Sequence, residues 1–194
     1  MLFTDQLAQA IAEGRKFVTR RPITPRNSVV WIGDKQTKPL AELYIKSEQS
    51  LGRGQPDAAN ESIVIPGATV NNCDFPAVTI CPRHSGGDML WVRECWRQDP
   101  DFDGKVWYRA RADRDGRVTG ASRWRPSIHM PRRAARSVRR IVSVAPERLG
   151  PLSEAEAIAE GFESPEDFAA AWAGLYGGRV RWVWRYEFER SNAT

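Results

Sequence analysis

Residues 180–189 alternate almost without a break. Val180, Trp182, Trp184, Tyr186 and Phe188 fall on one side, with Arg181, Arg185, Glu187 and Glu189 mainly on the other. A period of two sends successive side chains to opposite faces of a strand. This segment must therefore lay an aromatic face on a core and turn a charged face outward. That requirement commits the chain to a sheet with something packed against it.

Other stretches supply the partners. Arg15 to Pro22 is short, basic and β-prone, and Pro22 ends any pairing. Val29–Ile32 is a further strand candidate. Met89–Arg97 reads as one strand, with Leu90, Val92 and Trp96 facing one way. Lys105–Ala112 alternates Val106, Tyr108 and Ala110 against Trp107, Arg109 and Arg111, and Asp115-Gly116 supplies a hairpin turn. Val138–Val144 completes the set. Helices are marked by their ends. Thr4 or Asp5 opens the first, Leu7 and Ile11 share its face, and Gly14 stops it. Ser153-Glu154-Ala155-Glu156 is a capping-box signature for a helix running to about Glu160, with Gly161 as the stop. Ser164 and Pro165 start a third helix, in which Phe168, Trp172 and Leu175 share a face and Gly177-Gly178 ends it. About five or six short strands and three helices suggest an α+β protein, a small twisted barrel with helices at its ends.

The chain has 194 residues, enough for one domain that buries about 70% of its unfolded surface. We expect a single domain, 1–194, with residues 23–85 as a long insertion. That insertion is rich in Gly, Pro, Asn and Ser and is expected to hold little regular structure. No apolar run approaches the roughly 20 residues that span a bilayer. No signal-peptide pattern appears, because Asp5 and Glu13 interrupt the first residues. Cys73, Cys81 and Cys95 are too few and too odd for a disulfide framework, which points to a reducing, cytoplasmic setting. Cys81-Pro-Arg-His84 has ligand-like spacing but lacks a second close pair. Buried thiols account for it better than a zinc site, and no metal or cofactor is expected.

The net charge is +5, and of 29 basic residues only Lys16, Lys35, Lys38, Lys46 and Lys105 are lysines. Composition bias accounts for the ratio but not for the placement. Eight arginines (117, 123, 125, 132, 133, 136, 139 and 140) fall in a stretch without a single acid between Gly116 and Pro146, together with Trp124 and His129. Guanidinium groups fork onto phosphates and indoles stack on bases, so the sharp reading is nucleic-acid binding. The bland reading is a solvated basic loop beside acidic neighbours.

A second candidate is the octet Gly14 to Arg21. On a strand Thr19 and Arg21 share a face, and Lys16 stands at the junction with the first helix. Threonine needs a base to act as a nucleophile. Lysine serves as one only with a lowered pKa, which repulsion from Arg15, Arg20 and Arg21 would favour. A solvated basic strand end is the plain alternative. Glu160 is a third candidate, since a carboxylate in a helix's last turn opposes the macrodipole. The plain alternative there is an acid on an exposed face.

Taken together, these motifs resemble the ASCH family of the PUA-like superfamily. Gly14-Arg15-Lys16, then Thr19, then Arg21 is similar to the family's Gly-x-Lys, followed three residues on by Thr or an acid, then x-Arg. Gly87-Asp88 before Leu90-Trp91-Val92-Arg93 resembles the family's strand after its Gly-Asp turn. Val183-Trp184-Arg185-Tyr186-Glu187-Phe188 resembles its final strand. Trp124 to Pro131 is similar to a subgroup frequent in phage and prophage genomes. The resemblance covers roughly residues 4–21, 86–97, 123–161 and 180–189, and 23–85 has no counterpart.

The resemblance implies a small β-barrel with a cleft under its first helix, suited to RNA or a modified base. One branch of the family removes the acetyl group from 4-acetylcytidine with Lys, Thr and Glu, which fall here on Lys16, Thr19 and Glu160. Arg20 stands where those hydrolases carry an aliphatic residue. The expected partner is RNA or a modified nucleoside, not a membrane. Thr19 would be nucleophile, Lys16 base and Glu160 the orienting acid, and Arg21 would hold substrate oxyanions. Arg20, Trp91, Arg93, Trp124, Arg125, Arg132, Arg133 and Arg136 would contact substrate or nucleic acid, with Trp91 or Trp124 stacking. The alternatives are a non-catalytic RNA-binding module, a ribonuclease, or a structural or regulatory phage protein. A long exposed apolar patch would favour the last.

Overall fold

A computed structural model of the chain describes residues 1, 3–24, 28–32, 35–37, 54–57, 59, 61–70, 73–99, 105–114, 123–177 and 182–190. In chain order they form α1 (Asp5–Ala12), β1 (Val18–Pro22), β2 (Ser28–Ile32), β3 (Lys35–Thr37), β4 (Gln55–Pro56), β5 (Ile63–Val70), β6 (Cys73–Pro82), β7 (Met89–Trp91), β8 (Trp96–Gln98), β9 (Val106–Tyr108) and α2 (Arg109–Arg114). Two 3-10 turns follow, Ser127–His129 and Arg132–Ala134. Then come β10 (Val138–Arg148), α3 (Glu154–Ala159), α4 (Pro165–Tyr176) and β11 (Trp182–Phe188). The fold mixes helix and strand, and its antiparallel strands curl strongly into a half-barrel with few helices. No helix among the described residues is long and apolar enough to cross a membrane.

The alternating final segment becomes β11. It lies between β1 and β10 in the order β1-β11-β10-β7. Register sets Thr19 opposite Tyr186 and Arg21 opposite Trp184. β10 bends at a bulge between Ile141 and Ser143, pairing with β7 before it and with β11 along most of its length. A bulge adds local twist, which is how one long strand serves both neighbours of a curled sheet. Trp184, Tyr186 and Phe188 are buried on the inner face. The outer face is drier than alternation predicts. Val183 is fully buried there against Leu149, Phe168 and Trp172, because α4 covers it.

The stretch 23–85 departs most from expectation. Instead of an irregular insertion it carries a five-stranded antiparallel sheet, β3-β2-β6-β5-β4. Ile63 pairs with Ile80 and Ile65 with Val78. These four side chains and Val30 are fully buried or nearly so, in one cluster with Trp184, Tyr186, Phe188, Leu90 and Ile11. The two sheets thus face a common core. Pro66 sits beyond the reach of the two-residue β4, where β5 has no further neighbour among the described residues and a missing donor is tolerated.

Three smaller expectations also change. Met89–Arg97 breaks into β7 and β8. At the break the chain turns from β10 toward α1, with Val92 donating to the Ser137 carbonyl and Cys95 to Asp5 Oδ1. Lys105–Ala112 is strand only to Tyr108. Arg109-Ala-Arg-Ala-Asp-Arg is built largely from the strongest helix formers and winds into α2, with Ala112 buried. In α4 the buried stripe is Phe168, Trp172 and Tyr176, one residue every four, and Leu175 is exposed. Val180, Arg181, Asp115, Gly116 and Arg117 lie outside the described residues.

Candidate functional site

Two glycines bring the lysine and the acid together. Gly14 (φ 76°) ends α1 and Gly161 (φ 87°) ends α3, both in the left-handed region that favours glycine. A Cβ on Gly161 would stand 3.1 Å from the Lys16 Cβ and 3.3 Å from the Ala10 Cβ, so the absent side chain is what lets the two helix ends meet. Phe17 N donates to the Ala159 carbonyl at 3.0 Å across the same seam.

Lys16 Nζ is enclosed there. It donates to the Val18 carbonyl (2.6 Å), the Glu160 carbonyl (2.6 Å) and Glu160 Oε2 (2.7 Å). The two side chains are 1% and 3% exposed. Arg20 extends the network, reaching Glu147 (2.9 Å), Glu156 (2.8 Å) and Glu160 (3.4 Å). Glu160 at the α3 C-cap therefore stands against two cations that offset its unfavourable place on the helix dipole. Arg20, expected to contact substrate, is buried among three carboxylates from β10 and the α3 segment.

The Lys16 pKa is lowered to about 8, chiefly by burial. Glu160 opposes the shift, and Arg21 and Arg20 add to it. Repulsion within the octet is thus a minor cause, and Arg15 turns away to pair with Glu13. The shift carries a stability signature. Between pH 8 and 10 the folded state holds fewer protons on Lys16 than the unfolded state does. Stability from this group therefore rises with pH across that window. Above pH 10, Tyr186 works the other way, because burial pushes its hydroxyl up to about 12. Urea unfolding at pH 7.5, 9 and 10 should show the rise in the parent chain and a flatter profile in Lys16→Met. Equal slopes would contradict it.

Thr19 lies on the opposite face of β1 from Arg20, buried across from Tyr186. An ammonium has three hydrogens. All three on Lys16 are given to Val18 and Glu160, so Lys16 and Glu160 are joined while Thr19 is not linked to them. Two residues of this inner surface were not foreseen. The Tyr186 hydroxyl is buried with no hydrogen-bond partner among the described residues. The Phe3 ring lies 5.0 Å from the Arg21 guanidinium carbon and 5.9 Å from Lys16 Nζ. Tyr186 meets Thr19 only through a register between distant strands, for which the sequence carries no local signal.

The basic stretch divides. Arg136 forks onto Glu94 with two 2.8 Å bonds, donates to Gln9 and lies 4.7 Å over Tyr108, so it is a structural cation. Arg132 and Arg133 are exposed on a 3-10 turn. Trp91 is half-buried under the Arg93 guanidinium (5.1 Å). Trp124 and Arg125 line an open cleft of about 480 Å³ with Arg97, Gln98, Arg123 and Pro126. In it the Arg97 guanidinium carbon sits 4.8 Å over the Trp124 ring, and Arg125 lies 5.2 Å over Trp96. Arg97 was not among the expected contacts; it stands outside the acid-free run and reaches the cleft by strand pairing.

Cys81 and Cys95 are half-buried free thiols, both with pKa raised by burial, and the Cys73 side chain lies outside the described residues. His84 Nδ1 is 3.8 Å from Asp88 Oδ2. Among the described residues no three His, Cys, Asp or Glu side chains converge as metal ligands. In comparison with known proteins, the chain matches no family model, no curated protein and no solved structure.

Proposed function

We propose that the chain is an ASCH-type protein that binds RNA, or a modified nucleoside within it, through the Arg97–Trp124 cleft. The carrying observation is a guanidinium 4.8 Å over a half-exposed indole, in a cleft lined by three arginines, a glutamine, a proline and that indole. Arg97 is itself buried beneath this surface, so the forked donors open to phosphate are those of the exposed Arg123 and Arg125, and the indole offers a ring face to a base. Fluorescence anisotropy with a labelled RNA oligonucleotide across a salt series tests it. Affinity should fall as salt rises, and Arg123→Ala with Arg125→Ala should flatten the log–log slope by about 0.7 per lost phosphate contact. Binding that ignores both salt and the double substitution overturns the reading.

A second reading, amide hydrolysis of an acetylated cytidine, is favoured by one observation: a buried lysine with its pKa lowered to about 8, held against a carboxylate. In this reading Lys16 loses a proton to solvent and, once bound substrate brings it within reach of Thr19, which it does not touch in the free chain, takes one from the threonine hydroxyl. The threonine oxygen attacks the acetyl carbonyl carbon, and the C–N bond breaks as the base amine leaves with that proton. Water then cleaves the acetyl ester to acetate and restores Thr19. Glu160 would keep the lysine in place throughout. Thr19→Val should lower 4-acetylcytidine hydrolysis at least ~100-fold if Lys16 is its general base. Equal rates in the parent chain, Thr19→Val and Lys16→Ala would remove the catalytic assignment.

A further inference from the structure

Resting on the RNA reading above, we propose that the cleft takes single-stranded RNA and rejects the duplex, and that its footprint runs from Trp124 across Arg97 to Trp107. The β8–β9 pairing sets Arg97 opposite Trp107. On the other side of β8, Trp96 and Arg125 exchange two backbone hydrogen bonds, 3.2 and 2.8 Å. That bridge brings Trp124 level with Arg97, in keeping with the 4.8 Å contact between them. One face of this small ribbon therefore carries a cross-strand row, Trp107–Arg97–Trp124. Its opposite face is already used, since Trp96 and Tyr108 pack there on Met130 and Ala134.

The row is held in place. Trp107 Nε1 donates to Asp99 Oδ2 at 2.8 Å, and Lys105 Nζ lies 4.7 Å over the same ring. Adjacent strands are about 4.8 Å apart, so the two indoles stand roughly 10 Å apart along the row. Stacked nucleotides rise only about 3.4 Å per step, and a base inside a duplex has both ring faces covered by its neighbours. Two half-exposed indoles at this spacing can be stacked upon only by unpaired bases splayed from an extended strand. Arg97 is buried between them (4% exposed) and spaces the rings. The cations open to phosphate are therefore the exposed Arg123 and Arg125 at the Trp124 end, while Lys105 at the other end is shared with Asp99 at 3.5 Å. A duplex would meet the cations and neither ring.

The test compares one labelled ten-nucleotide RNA, without self-complementarity, alone and annealed to its complement, by anisotropy with the full chain. The single strand is expected to bind about tenfold more tightly or better. Trp124→Ala and Trp107→Ala should each weaken single-strand binding ~5-fold or more, with the salt slope unchanged, and leave duplex binding as it was. Trp124→Phe should restore most of the loss, which a merely structural defect would not. Equal affinity for both RNAs, or equal losses on both, overturns the strand preference while leaving RNA binding standing. Binding of neither RNA overturns the RNA reading itself.

Discussion

Glu160→Ala is expected to cost about 3–5 kcal/mol of folding stability, as when one partner of a buried ion pair is removed. Lys16 would keep its place 1% exposed with its carboxylate gone, and Arg20 would lose one of three acidic partners. At roughly 2–4 °C per kcal/mol for a chain of this length, the melting temperature should drop by roughly 6–20 °C. The loss should be larger at pH 6 than at pH 9. Without Glu160 nothing holds the lysine pKa up, so the folded state favours the neutral amine. The double variant Lys16→Met, Glu160→Gln removes the stranded charge and should be more stable than Glu160→Ala alone. A Glu160→Ala chain that melts within a degree or two of the parent at both pH values would show that the pair is not buried in solution.

Trp184→Ala is expected to be comparably severe, at about 3–5 kcal/mol for a large buried aromatic. The indole is fully buried, and its Nε1 donates to Ser28 Oγ at 2.8 Å, joining the half-barrel to β2. The loss should therefore be felt in both sheets. Hydrogen exchange would read it as faster exchange at Val30, Ile63 and Ile80 as well as at Tyr186, all members of one core. Trp184→Phe keeps much of the ring and removes the donor, so its cost should stay near 1 kcal/mol from the hydrogen bond plus a smaller packing loss. If exchange quickens in the β1-β11-β10-β7 sheet alone, the two sheets do not share a core.

What the sequence made legible is what is written locally. Thr4, Ser153 and Ser164 cap the helices as their spacing predicts, and Gly14, Gly161 and Gly177 end them at positive φ. Each signal acts within one turn of chain. The closing strand was legible because its alternation runs for four turns of period two. Of the sheet at 28–82 only Val29–Ile32 was legible, as β2; the rest was not, because its apolar alternation is brief: Ile63 and Ile65 on one strand, Val78 and Ile80 on the other, each interrupted by proline. Burial comes from pairing across the core, which no short window contains. The same limit separates Arg136 from Arg123. Both are arginines in an acid-free run, yet one meets Glu94 from a distant segment and the other lines a cleft. Glu160 stands out by its place against the helix dipole and Lys16 by the basic octet around it, and the fold brings the two into contact. The Thr19–Tyr186 pairing and the Trp107–Arg97–Trp124 row depend on register and were invisible beforehand.

The strand order has a consequence in time. β11 sits between β1 and β10, yet residues 23–181 separate β1 from it along the chain. At ribosomal speeds of roughly 5–20 residues per second, β1 waits on the order of ten to thirty seconds for its only sheet partner among the described strands. Until then the inner faces of β1 and β10 have nothing between them. Pairing so remote in sequence also slows the closing step itself, since the intervening loop must be ordered before any contact rewards it. The nascent chain is therefore at its most adhesive just before its last strand emerges, and a chain stopped short of Trp182 would leave both neighbours as open edges ready to pair with another copy.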